Sequence, residues 1–136
     1  MTVIRTLLVV VALVAGVIML LPADAQDTVD CTATLEIWQI QGAGSQANCQ
    51  GQRVTTAENI VTGVGPGGFF IQTPPERADG DDATSDGIYV VTNLPPVAWG
   101  IEVGDLVTLT DVRVNELFDM STLEVPSAQR ITVISS

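Results

Sequence analysis

The sequence predicts an all-β fold, a five-stranded Greek-key barrel, and three observations point to it. Runs of β-branched and aromatic residues recur between breaks rich in Gly, Pro and Asp, the pattern of strands and turns. Two of those runs, residues 52–64 and 106–117, are long, and each carries a polar residue in its middle, Asn59 and Asp111. Long strands that coil around both ends of a small barrel need a bulge to bend, and such residues mark one. After the first twenty-five residues no stretch shows a helical period.

The chain opens on a segment that is read as a leader. Arg5 supplies a positive charge, residues 7–21 are almost unbroken apolar sequence, and Pro22-Ala23-Asp24-Ala25 adds a helix breaker and an A-x-A cleavage pattern. This predicts a secretory signal peptide over residues 1–25, cleaved after Ala25. A retained anchor is the alternative, but the apolar run is short for a span of about 20 residues. Cys31 follows Val29-Asp30, so no lipid-attachment cysteine follows the apolar run. The mature domain is expected over residues 26–136, secreted or extracytoplasmic, with no membrane contact after cleavage.

Charge excludes much. The chain has five Lys and Arg, all of them Arg, against sixteen Asp and Glu, no His, and a net charge of −11. That balance keeps an exported domain soluble and opposes binding dominated by phosphate contacts. Cys31 and Cys49 form an even pair, which in an oxidising compartment predicts a disulfide. It would close a loop of about 19 residues and contribute roughly 3 kcal/mol through the unfolded state.

The elements then follow in order. Residues 34–41 (TLEIWQIQ) alternate and suggest a short strand or an extended segment laid over the barrel. A Gly/Ser/Asn-rich connection leads to the first long strand, 52–64, with Asn59 expected at a bulge or at positive φ. Gly65-Pro66-Gly67-Gly68 is a turn. Residues 69–73 and 88–92 are the next two strands, joined by an acidic loop. Pro95-Pro96 and Val103-Gly104-Asp105 frame a connection in which Trp99 is expected to lie as a lid over the barrel end. The second long strand, 106–117, breaks at Asp111, and 121–125 with 130–134 form a last strand split at Pro126. An immunoglobulin-like sandwich would need about seven strands and a cysteine pair spanning two sheets around a Trp. Here the pair is too close and too near the N-terminus, which favours the OB-fold barrel.

An ordered series of residues supports that choice. Ile40-Gln41-Gly42-Ala43-Gly44-Ser45, Gly51-Gln52-Arg53-Val54 and Gly68-Phe69-Phe70-Ile71-Gln72 come first. Asp81-Asp82-Ala83-Thr84-Ser85-Asp86-Gly87-Ile88-Tyr89-Val90, Val103-Gly104-Asp105 and Glu116-Leu117-Phe118 follow. The series resembles the OB-fold module that precedes the catalytic domain in secreted bacterial nucleases of the endonuclease/exonuclease/phosphatase type. It spans roughly residues 37–123, with GFFIQ and ATSDGIYV its specific blocks. Asn59 and Asp111 stand where that family tends to have Gly, and Phe118-Asp119 stands for its Phe-Gly step. The sequence ends at Ser136, about where such a nuclease would begin its catalytic domain. That domain relies on His and carboxylates around a metal, so the resemblance implies an accessory fold that holds nucleic acid, without nuclease activity.

The candidate site lies in residues 67–91. Alternation puts Phe69 and Ile71 on one face and Phe70 and Gln72 on the other. Tyr89 falls beside them on the next strand, so Phe70, Gln72 and Tyr89, with Phe118, are the expected ligand-binding residues. OB-folds commonly bind oligonucleotides or oligosaccharides on this face, and bases stack on exposed aromatics for about 1–3 kcal/mol each. The alternative is that Trp38 packs over Phe70 and covers it. Asp79, Asp81, Asp82 and Asp86 cluster hard oxygen ligands, suggesting Ca2+, although Thr84 and Val90 stand where an EF-hand needs Gly and a bidentate Glu. The alternative is a solvated turn whose Asp and Ser side chains cap backbone amides. With no His, no Lys and a paired Cys, the residues offer no nucleophile with its base, and the expected function is non-catalytic. Expected partners are single-stranded nucleic acid or polysaccharide, a nuclease catalytic domain, or another protein; the alternatives are a structural or protein-interaction domain, or the N-terminal part of a larger extracellular nuclease.

Overall fold

The structure is a computed structural model that describes residues 28–136; the predicted leader and its cleavage point lie outside the described residues. The elements are β1 (Thr34–Leu35), α1 (Ile37–Gln41), β2 (Arg53–Thr56), β3 (Asn59–Gly65), β4 (Gly68–Gln72) and β5 (Gly87–Thr92). They continue as β6 (Leu106–Leu109), β7 (Val112–Leu117), β8 (Met120–Val125) and β9 (Ile131–Ser135), with 3₁₀ turns at Pro75–Arg77, Pro96–Trp99 and Ala128–Arg130.

The pairings close into a ring. β3 pairs antiparallel with β4 and β4 with β5; β5 pairs parallel with β8, and β8 antiparallel with β7. β7 then meets β2 at Arg53↔Arg113, while β6 meets β3 at Asn59↔Val107. β2 with β3, and β6 with β7, are the halves of the two long strands foreseen from the sequence, each interrupted for two residues. Counted whole, five strands close a Greek-key barrel in which the third and fifth run parallel, and the domain is an OB-fold.

Each break has a visible cause. Asp111 takes φ 54°, a left-handed conformation that Asp tolerates better than most residues, as expected for the second long strand. Asn59 does not do the same. Positive φ among non-glycine described residues is confined to Asp111, Phe118 and Asp119, and the bulge in the first strand falls between Val61 and Gly63. Asn59 is buried instead, its Nδ2 donating to the Ala57 carbonyl at 2.8 Å. Where the ladder is interrupted, hydroxyls replace carbonyls: Thr56 Oγ1 accepts from Leu109 N at 3.0 Å, and Thr55 Oγ1 from Asp111 N at 3.4 Å.

The inward positions follow the alternation, although Thr122 is buried as well beside Leu123 on β8. Phe69, Ile71, Val90, Val112, Val114 and Leu123 are all fully buried. Filling a small barrel this way leaves no room for an internal ligand, so any ligand must sit outside it.

Two expectations need correcting. Residues 34–41 are not one strand: only Thr34–Leu35 is, and Ile37–Gln41 is helical. As a strand, Ile37 and Ile40 would face opposite ways; three residues apart on a helix they share a face, and both are fully buried. Gln39 Oε1 accepts from Glu36 N at 2.9 Å and secures the helix start. The last strand is split at Pro126 as foreseen, but its second half does not continue the first: β9 crosses to pair antiparallel with β6.

Short helices close the two barrel ends. At one end Gln41 Nε2 donates to Gly87 O at 2.6 Å, docking α1 where β5 begins. At the other, Trp99 packs half-buried against the core as the predicted lid. The Cys31–Cys49 disulfide is formed, with Cα atoms 5.8 Å apart and both residues buried, and it brackets α1. Nearby, Asp30 accepts from the Thr32 hydroxyl at 2.7 Å and from its amide at 3.0 Å, which holds its carboxyl below the usual range. Among the described residues no helix is long and apolar enough to cross a membrane.

Candidate ligand-binding face

The outer surface of β4, β5, β8 and β7 carries the predicted site. Register pairs Phe70 with Tyr89, Tyr89 with Thr122, and Thr122 with Asn115, so these four form one row across the strands. Phe70 is 48% exposed while its neighbour Phe69 is fully buried. The Phe70 and Tyr89 rings lie 4.8 Å apart between centroids and tilted by 49°, an arrangement aromatic pairs favour over a flat sandwich. Gln72 is exposed on the same face, two residues along β4 and paired in register with Gly87.

Glycines border the rings. A Cβ on Gly68 would stand 2.0 Å from Val90 O and 2.8 Å from the Tyr89 ring, so the turn passes over Tyr89 only because Gly68 has no side chain. A Cβ on Gly63 would touch Phe70 at 3.6 Å. The aromatic pair is therefore flanked by bare backbone on the Gly65–Gly68 side.

Trp38 does not cover Phe70. Its indole Nε1 donates to Arg77 O at 3.3 Å, holding α1 against the acidic loop. Arg77 turns inward there, 3.6 Å from Glu36 and donating to the Glu58 carbonyl. Of the two packings open to Trp38, the structure takes the one that leaves the aromatic face open.

Phe118 stands apart from the other three predicted ligand residues. It occupies the tip of the β7–β8 hairpin at φ 52°, 95% exposed, with Asp119 beside it at φ 60°. Leu117 and Met120, paired across the hairpin, are also exposed, so the tip is apolar. Because Gly87 and Gln72 lie toward the same end as Met120, this hairpin and the acidic loop leave the barrel together, opposite the Gly65–Gly68 turn.

In the acidic loop the carboxylates of Asp79 and Asp81 serve the backbone. Asp79 accepts from Asp81 N at 3.1 Å and from the Thr84 hydroxyl at 2.8 Å. Asp81 accepts from Ala83 N at 2.9 Å, and Asp86 accepts from Thr73 N through its main-chain oxygen at 2.8 Å. Asp82 is exposed. Among the described residues no three of His, Cys, Asp or Glu gather into a metal-binding group, so Asp79, Asp81, Asp82 and Asp86 as placed do not converge on one ion.

Positive charge is mostly spent elsewhere. Asp111 engages both Arg130, at 2.6 Å, and Arg53, at 3.6 Å, and Arg77 faces Glu36. Among the described residues only Arg113 has no carboxylate within ion-pairing distance, and its register partner on β8 is Glu124. Asn115 and Arg113 were absent from the predicted site. The alternation of β7, which sends Arg113, Asn115 and Leu117 outward, carried the signal for both.

The fold and the open face define the class: an OB-fold domain with an aromatic outer surface. No protein-family model matches the chain, and no curated protein matches it. Among the solved structures that resemble it in outline, two share 13% identity over 76% of this chain. One is Schizosaccharomyces pombe Pot1pC bound to single-stranded DNA, with TM-score 0.47 over 86% of that chain. The other is fission yeast Pot1 with single-stranded DNA, with TM-score 0.48 over 39% of that chain.

Proposed function

We propose that this protein is an exported, non-catalytic binding module that holds an extended polymer, single-stranded nucleic acid or polysaccharide, on the outer face of β4 and β5. The observation that carries the reading is the Phe70–Tyr89 pair on the outer face of the barrel, with the Phe70 ring half-exposed. Stacking on such a pair requires no sequence readout. Export is supported by the buried disulfide, a crosslink typical of oxidising compartments, and by the apolar leader. The likeness of GFFIQ and ATSDGIYV to accessory modules of extracellular nucleases supports a role beside a catalytic domain.

Titration with fluorescent single-stranded DNA and with labelled oligosaccharides, in calcium and then in chelator, tests this. Binding that is lost in Phe70→Ala or Tyr89→Ala supports the reading, and a chelator effect would show that a divalent cation takes part. No binding of any of these polymers up to high micromolar protein overturns it. Protein interaction is a second reading, favoured by the apolar tip at Leu117, Phe118 and Met120.

A further inference from the structure

Resting on the reading above that the outer face binds a polymer, we infer that its ligand is an uncharged saccharide chain rather than a polyanion. The face is chemically neutral. Its exposed polar side chains beside the aromatic pair, Gln72 and Asn115, are amides, each able to donate and accept. Thr122, between Tyr89 and Asn115 in the row, is buried with its hydroxyl turned onto the Asn115 carbonyl at 3.4 Å. In the next row Arg113 and Glu124 sit in register across β7 and β8, and Arg53, beside Arg113 on β2, is met by Asp111, so the charges there offset one another.

A nucleic acid needs the opposite provision. Affinity for phosphate chains comes from Lys and Arg that displace counterions. Three of the four arginines in the described residues already face carboxylates, and the whole chain stands at −11. Each phosphate brought to this surface meets net repulsion, whereas a neutral chain meets none. The aromatic rings suit sugars equally well. The apolar C–H face of a pyranose carries partial positive charge and is drawn to the negative face of an aromatic ring.

The layout also suits a chain of rings linked end to end. Phe70, Tyr89, Thr122 and Asn115 are successive register partners, so the row crosses the strands at about 4.8 Å per step. A ligand lying along it would stack on the aromatic pair at one end and meet the Asn115 amide at the other. Gly63 leaves bare backbone beside the Phe70 ring, where a Cβ would stand in ordinary contact at 3.6 Å.

The test uses the exported protein with its disulfide intact. Neutral glucan and N-acetylhexosamine oligosaccharides, a polyuronate and an oligothymidylate are titrated at low and at physiological salt. Neutral saccharide binding that is unchanged by salt, weakened roughly tenfold or more in Phe70→Ala and retained in Phe70→Trp supports the inference. Phe70 is half-exposed, so both variants should fold, and a circular dichroism spectrum matching the parent confirms it. Binding of the oligothymidylate or the polyuronate alone, falling with salt, overturns the inference and leaves the polymer-binding reading standing. Binding of none of them, or binding indifferent to Phe70→Ala, overturns both.

Discussion

Phe69 and Phe70 are neighbours in sequence and identical in chemistry, yet one is fully buried and the other is 48% exposed. The pleat alone separates them: β4 sends alternate residues into the barrel and out of it. The inward side of this ribbon is chosen for stability, since Phe69 and Ile71 fill the core with Val90 and Ile88. The outward side carries the same residue types without that reward. An aromatic kept where it adds little to folding is more informative about function than one in the core.

The sharpest way to break this comparison is to truncate both residues. Phe69→Ala should cost about 3–5 kcal/mol and Phe70→Ala about 1 kcal/mol or less, read by urea unfolding. Equal costs would show that the outer aromatic is structural. Removing the disulfide by Cys31→Ser with Cys49→Ser should lose about 3 kcal/mol, lowering the melting temperature while leaving the outer face intact. Gly68→Ala tests the border between the two sides. Its Cβ would meet the Val90 carbonyl at 2.0 Å, and the forced shift should destabilise by about 1–3 kcal/mol and move the Tyr89 ring, visible in near-ultraviolet circular dichroism.

Smaller effects sharpen the picture at the surface. Asp111→Asn removes the charge facing Arg53 and Arg130. With all three side chains well exposed, the loss should stay below about 1 kcal/mol and vanish in high salt. Phe118→Asn should have the opposite sign, raising stability by up to about 1 kcal/mol, because Asn accepts φ near +50° more readily than Phe. A fall in stability would mean that the Phe118 ring makes contacts that keep it there.

Much of this was legible in the sequence because alternation is a local signal. The strands from Gly68 to Gln72 and from Gly87 to Thr92, their inward and outward faces, the interruption at Asp111 and the cysteine pair all follow from residue type and spacing. What was not legible depends on partners distant in the chain. Ile37 and Ile40 fit both a strand and a helix over so short a stretch, and only the barrel end that they plug decides for the helix. The path of β9 is set by the free edge of β6, which no local pattern around Pro126 announces. In the acidic loop, nearness in sequence says nothing of where carboxylates point. Asp79 and Asp81 turn to amides two residues away, the cheapest partners within reach. Phe118 is aromatic like Phe70 and Tyr89, but a hairpin reversal carries it off their row.

The ring that closes through Arg53↔Arg113 and the parallel pairing of Tyr89 with Thr122 also sets a tempo. Neither contact is local, and chains dominated by such pairings fold in milliseconds to seconds, with loop closure met before the contacts reward it. Until that moment the polypeptide is a flexible thread. If the chain is exported as proposed, slowness would be an advantage: it would stay narrow enough to pass a translocation pore and would seal into a barrel on the far side, where the two thiols bracketing α1 would be oxidised.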